Sequence, residues 1–269
     1  MISFHRRILL KLLCLGIYLC LTGCASTTSG WGSKSTITPS WERISKAAKK
    51  AATSKQTWVP LAGAALFQIK DYDEQAQEWI TQNAPLFGNK QDAQDISDDL
   101  SDLAKVNLLA SIFFVPTSDD DAFSKLKGLA VSAAALSVNK GVTRFIKRET
   151  NRLKPDASNR KSFPSGHTSS ASTAASVSHH VIEHMHQLTP QQRKFWQVSS
   201  YTIAGLTGWA RIEGDKHYPS DVLAGYALGN FIGTFMSEAF IGSTDELGVQ
   251  VSVSVWSGKQ WSIGFHYSW

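Results

Sequence analysis

Cysteine is scarce in this chain. There are three in 269 residues, Cys14, Cys20 and Cys24, and none follows position 24. A fold stapled by disulfides is thereby excluded for everything beyond that point. Long apolar runs are also missing. Trp58–Ile69, Val106–Val115, Gly128–Ile146, Trp196–Trp209 and Val222–Phe240 are apolar, but Ser, Thr, Asn, Gln or Gly interrupts each of them. None is a clean stretch of membrane-spanning length. With a mean hydropathy of −0.16, they read as buried helices of a soluble bundle. A strong excess of one charge is absent as well. The formal +5 includes Arg6, Arg7 and Lys11, and no acidic residue precedes Glu42, so removing those three cations leaves +2. That is too weak to argue for a nucleic-acid partner. No internal repeat is visible.

What is present begins with the N-terminus. Arg6, Arg7 and Lys11 form a basic region, and Ile8 to Leu21 is almost wholly apolar. This segment is too short for a comfortable span and reads as an export signal over residues 1–23. It ends in Leu21-Thr22-Gly23-Cys24, which resembles the lipoprotein box of bacteria. That resemblance implies cleavage before Cys24 and lipidation of its thiol, so Cys14 and Cys20 leave with the signal. Ala25 after the cysteine implies an outer-membrane address facing the periplasm. Residues 24–40, rich in Ser, Thr and Gly, read as a lipidated, flexible tether. Residues 41–243 are long enough for one helical domain.

From residue 244 the period changes. Leu247, Val249, Val251, Val253 and Val255 alternate, as do Trp261, Ile263, Phe265, Tyr267 and Trp269. The alternation predicts a C-terminal β-hairpin over 244–269 with one apolar face. A lone hairpin is marginal, so the helical domain, a second subunit or the membrane would have to cover that face. A homo-oligomer formed through the hairpin is one expected partner arrangement.

Three short motifs between positions 147 and 221 carry chemistry. The first is Lys147-x6-Lys154-Pro155, late in a stretch from Gly128 to Leu153 that reads as a helix. Positions seven apart share a helix face, and Pro155 should stop the helix at Lys154. The second is Pro164-Ser165-Gly166-His167, ahead of a Ser/Ala/Thr-rich helix from Thr168 to Val181. A helix start presents free N–H groups and the positive end of the dipole, so it suits an anion. Gly166 would permit close backbone approach. The third is Arg211-x5-His217-x3-Asp221. Pro219 should open a helix there, and Asp221 lies in its first turn. A carboxylate on one ring nitrogen of His217 would leave the other free to attack.

In order and residue type these motifs resemble the phosphatidic acid phosphatase type 2 superfamily, which also contains the vanadium haloperoxidases. The resemblance implies a mainly α fold, a helical bundle of the acid phosphatase/haloperoxidase type, here with the C-terminal β-hairpin. It implies a phosphatase working through a phosphohistidine on His217. Asp221 would orient His217, and His167 would act as general acid and then base. Lys147, Lys154, Arg211 and the Ser165–Gly166 backbone would stabilise the phosphoryl oxygens. No cofactor and no metal are implied, because fixed cations take the metal's place. The family has Arg where this chain has Lys154. Lysine lacks the guanidinium fork, so either phosphate affinity is lower or Arg152 supplies the fork. Ala210 stands where the family usually has Ser. The expected substrate is a phosphorylated lipid or a small phosphomonoester, with membrane contact through the N-terminal lipid. A vanadate-dependent haloperoxidase and a non-catalytic envelope lipoprotein are the alternatives.

Two further clusters compete for attention. His179, His180, Glu183, His184 and His186 crowd one segment, and His180 and His184 have metal-chelating spacing. The helix carries them about 20 Å from His167, so a polar helix end is expected. Asp119-Asp120-Asp121 and the acidic run Asp92–Asp102 read as solvated surface.

Overall fold

The computed structural model describes residues 31–32, 34–83, 85–116 and 122–242, and the backbone of 250–256 and 260–266. Among these residues eight α-helices follow in order: α1 Trp41–Thr53, α2 Lys55–Phe67, α3 Tyr72–Asn83, α4 Lys90–Phe114, α5 Ala122–Thr150, α6 Gly166–Glu183, α7 Pro190–Glu213 and α8 Pro219–Met236. A π-helical turn, Ser237–Ile241, closes the body.

Local chemistry accounts for several boundaries. Asn89 starts α4 by accepting the Gln91 and Asp92 N–H groups at 2.9 and 3.0 Å, a standard N-cap. Thr189 and Gln192 form a capping box ahead of α7, with Pro190 at its first position. Along α4, Ala93, Ser97, Ser101, Ala104, Leu108, Ser111 and Ile112 are buried. Their three- and four-residue spacing is one helix face.

The organising element is α6. Its sequence is mostly Ser, Thr and Ala, yet nearly all of it is buried. Small side chains explain this: α4, α5, α7 and α8 close around it, and α8 comes nearest. A Cβ on Gly229 would lie 2.2 Å from the Ser169 carbonyl oxygen, and one on Gly225 would lie 2.5 Å from that of Ser165. Only glycine permits such backbone approach. The hydroxyls of α6 then donate across the gap. Ser172 bonds the Tyr226 carbonyl at 2.7 Å and Thr173 that of Gly229 at 3.2 Å. Each such bond contributes about 1 kcal/mol. Among the described residues, no helix is long and apolar enough to cross a membrane.

This architecture corrects the expected fold class. The described body is helical from Trp41 to Ile241 and contains no strand. The β-hairpin expected over 244–269 is not part of the fold. The segments Gln250–Trp256 and Gln260–His266 pair antiparallel with each other alone. Alternation sets a local backbone period but supplies no sheet to join, and the core is already closed by helices. The expected signal and the lipidation site at Cys24 lie outside the described residues, as does the Asp119–Asp121 run. Within the segment read as a tether, Trp31 is fully buried. Its ring lies against Gly128, where a Cβ would come within 2.0 Å of it.

Candidate active site

The three motifs meet where the start of α6, the start of α8 and the end of α7 converge. The Ser165 N–H donates to the Asp221 carbonyl at 2.8 Å, joining the second motif to the third. Arg211 occupies the last turn of α7, and its carbonyl accepts the Lys216 and His217 N–H groups. The chain then turns into α8, so His217 sits on the approach to the helix. Its Nδ1 faces Asp221 Oδ2 at 3.5 Å, and both side chains are almost fully buried. That separation is long for a hydrogen bond. Burial drives the His217 pKa down to about 3, Asp221 opposes the shift, and Lys147 and Arg211 add to it. The imidazole is therefore neutral at neutral pH.

Asp221 is fixed from several sides. Its Oδ1 accepts from Arg152 Nη1 at 3.0 Å. Its Oδ2 accepts from the Tyr218 N–H at 2.9 Å and from the Ser162 hydroxyl. Burial alone would raise its pKa, but His217, Arg152 and Ser162 outweigh that and hold it below the usual carboxylate range.

Arg152 is not a fork open to an anion. Its second terminal nitrogen, Nη2, donates to Asp73 Oδ2 at 2.7 Å, and Nη1 also reaches Ser220 Oγ at 2.8 Å. The guanidinium stacks on the Tyr218 ring at 4.2 Å. Asp73, at the start of α3, further accepts the Ser220 N–H at 2.9 Å and the Ser220 hydroxyl. The unit is thus carboxylate–guanidinium–carboxylate, with Arg152 spent on two buried acids.

The remaining cations lie near one another. Helix α5 ends at Thr150, four residues before Lys154, because Asn151 takes a left-handed conformation (φ 44°). Lys147 and Lys154 therefore do not share a helix face: Lys147 is in the last turn and Lys154 in the loop beyond. Lys147 Nζ donates to the carbonyls of Lys161 and Ser162. Its pKa falls to about 8, chiefly through burial, with Lys154, Arg211 and Lys161 contributing. The pKa of Lys154 is also lowered, by burial first and then by Arg211. Arg211 is itself buried and donates to Ser97 Oγ at 3.0 Å. Its Nε has no protein acceptor.

His167 lies in the first turn of α6, half-exposed, with Nε2 3.1 Å from Asp98 Oδ1. Burial lowers its pKa to about 4; Arg211, Lys105 and Lys147 add to this and Asp98 opposes it. Arg211 and Lys147 thus act on His167 and His217 alike. The Ser165 backbone departs from expectation. Its N–H is committed to Asp221 and its hydroxyl to Thr168 at 2.9 Å. Gly166 and the amides after it carry the helix-start character, and from the packed elements only Thr143 and Lys147 come within 4 Å of a Cβ built on Gly166, at 3.7 and 3.8 Å. Two histidines of the second cluster have partners of their own. His180 Nε2 bonds the Gly242 carbonyl at 2.7 Å and His184 Nδ1 that of His180 at 2.9 Å.

Sequence reasoning did not single out Asp73, Asp98, Ser162 or Ser220. Asp98 was one member of an acidic run read as solvated face, and in α4 it is the member that turns to the site. The other three belong to no local pattern.

An all-helical bundle with paired histidines, a buried carboxylate and converging cations is the class this architecture defines. Residues 128–243 match the PAP2 superfamily, and over that segment the chain is similar to it. It is similar to the lipid A 1-phosphatase of Porphyromonas gingivalis, with 34% identity over 107 residues, or 40% of this chain and 22% of that protein. The chain therefore spans well under two thirds of that relative's length. It also shares its fold with the transmembrane PAP2-type phosphatidylglycerolphosphate phosphatase of Bacillus subtilis. There the identity is 21% and the TM-score 0.50, covering 68% of this chain and 92% of the other.

Proposed function

We propose that this protein is a phosphatase that cleaves a phosphomonoester or diphosphate of a membrane lipid through a phosphohistidine on His217. The observation that carries this reading is a buried, neutral His217 whose Nδ1 faces Asp221. That leaves Nε2 as the nucleophile. Asp221 stabilises the charge that develops on the ring as the N–P bond forms. Lys147, Lys154 and Arg211 hold the phosphoryl oxygens, with the orphan Arg211 Nε as one donor. The start of α6 adds its dipole. His167 protonates the leaving oxygen and later takes a proton from water. No metal enters this scheme. Asp73 and Arg152 act by fixing Asp221.

A lipid substrate is favoured by α2. No charged residue lies between Lys55 and Lys70, and Trp58, Leu61 and Leu66 are 51%, 55% and 63% exposed. An apolar face of that kind suits a lipid surface. Lipidation at Cys24 would hold the enzyme in the bacterial envelope, at the periplasmic face of the outer membrane.

The test is phosphate release from phosphatidic acid, phosphatidylglycerol phosphate, polyprenyl diphosphate, lipid A and a soluble aryl phosphate, with EDTA present. Release should survive EDTA, be blocked by vanadate, and fall roughly 10³-fold or more in His217→Ala. Release abolished by EDTA, or unaffected by His217→Ala, would overturn the phosphohistidine scheme.

A further inference from the structure

Helix α4 lies outside the matched segment, yet two consecutive residues reach the phosphate site from it. Ser97 Oγ accepts from Arg211 Nη1 at 3.0 Å. Asp98 Oδ1 lies 3.1 Å from His167 Nε2 and 3.6 Å from Arg211 Nη1. Three other acids of the run have partners on α4 or at its cap. Asp92 accepts from Asn89 at its cap, Asp95 from Gln91, and Asp102 from Lys105.

We propose that Asp98 is a positioning residue of this site, holding the His167 imidazole by Nε2 so that its other nitrogen, Nδ1, exchanges protons with the substrate. The inference rests on the phosphatase reading above. The physical reason is tautomer control. A carboxylate that accepts from one ring nitrogen keeps a proton there and assigns the exchangeable proton to the other. When the ester is cleaved, the bond from His217 Nε2 to phosphorus forms and the bond from phosphorus to the leaving oxygen breaks. His167, neutral in the free protein, takes a proton from water at Nδ1 as the phosphate anion binds and its charge favours the imidazolium; that proton passes to the leaving oxygen, and an alcohol departs. His167 is left as the neutral Nε2–H form, still donating to Asp98. Its Nδ1 then takes a proton from the water that hydrolyses the phosphohistidine.

The charges around His167 make such a partner useful. Arg211 on α7, Lys147 on α5 and Lys105 on α4 all disfavour the imidazolium, and burial disfavours it most. Asp98 supplies the opposing field. Its side chain is 63% exposed, so solvent weakens the pair and the effect is modest.

The experiment compares two esters in the full chain. An alkyl phosphomonoester needs its leaving oxygen protonated, whereas a nitrophenyl phosphate releases a stable phenolate unaided. Asp98→Ala should lower kcat/KM, which reports the steps up to departure of the leaving group and not the shared hydrolysis that follows, roughly two- to fivefold for the alkyl ester and hardly alter it for the aryl ester. Asp98→Glu should restore part of the loss. In a His167→Ala background, Asp98→Ala should have no further effect. Equal losses on the two esters, no loss on either, or additive losses in the double variant would overturn the proposal. If the unsubstituted chain releases phosphate from neither ester, the phosphatase reading falls and takes this inference with it. Loss that ignores the leaving group removes this inference alone.

Discussion

Arg152 shows how a residue's surroundings override its chemical promise. A guanidinium two residues from Lys154 is a natural phosphate fork, yet here it bridges Asp73 and Asp221, whose side chains are 3% and 0% exposed. Removing one partner of a buried ionic unit leaves uncompensated charge and costs about 3 kcal/mol or more. Part of Arg152 is solvated, which trims that figure. Arg152→Gln should therefore lower stability by about 2–3 kcal/mol in chemical denaturation. Asp73→Asn combined with Arg152→Gln should cost less than the two changes summed, because they break one network. A raised KM with unchanged stability would instead make Arg152 a phosphate ligand. The sequence does reveal that His217 and Asp221 are neighbours, since four residues across a helix start bring side chains together. Nothing local reveals that Asp73 lies beneath them.

At the scale of elements, the contact between α6 and α8 decides whether the motifs meet. The second motif opens α6 and the third opens α8, so their separation is set by how closely the two backbones approach. Gly229→Ala should be strongly destabilising, because its Cβ would meet backbone that cannot rotate away. Overpacking of this kind costs about 1–3 kcal/mol, and activity should fall with the shift of α8. Gly141 on α5 is the counterexample. A Cβ there meets nothing within 4 Å, so Gly141→Ala should gain up to about 1 kcal/mol from helix propensity. Denaturant titrations of the two variants should move in opposite directions. Matching shifts would show that the glycine contact is not what holds the helices at this spacing. Helix positions were largely readable from composition and caps. The end of α5 was not, because Asn151 stops the helix before Pro155 does.

For the whole molecule, the buried histidines make stability depend on pH. The folded pKa of His217 is depressed to about 3 and that of His180 lies well below 6.5, both mainly through burial. Below 6.5 the unfolded chain binds protons that the folded chain refuses, so acid favours unfolding. The loss begins as pH falls through about 6.5 and continues toward the folded values. Each such group contributes about 1.4 kcal/mol per pH unit within that window. Asp221 titrates below the upper part of the window and Lys147 above it. Tm should fall between pH 7 and pH 5, and His180→Gln should flatten the dependence. A Tm unchanged over that range would contradict the burial of these rings.

The candidate site was legible in the sequence because each motif is compact: a Pro-Ser-Gly-His helix start, an Arg-x5-His-x3-Asp helix approach and a basic helix end. Spacing along one chain segment is enough to bring such side chains together. The helical character was legible for the same reason, since apolar period and capping act within a few residues. Tertiary structure alone decided that Asp73 holds Arg152 and Ser220, 79 and 147 positions away in sequence. It also decided that Asp98 turns from the acidic face of α4 to His167, and that the C-terminal strands pair only with each other. These outcomes depend on which helices pack together and how closely their backbones approach, and no periodicity within a single segment encodes that.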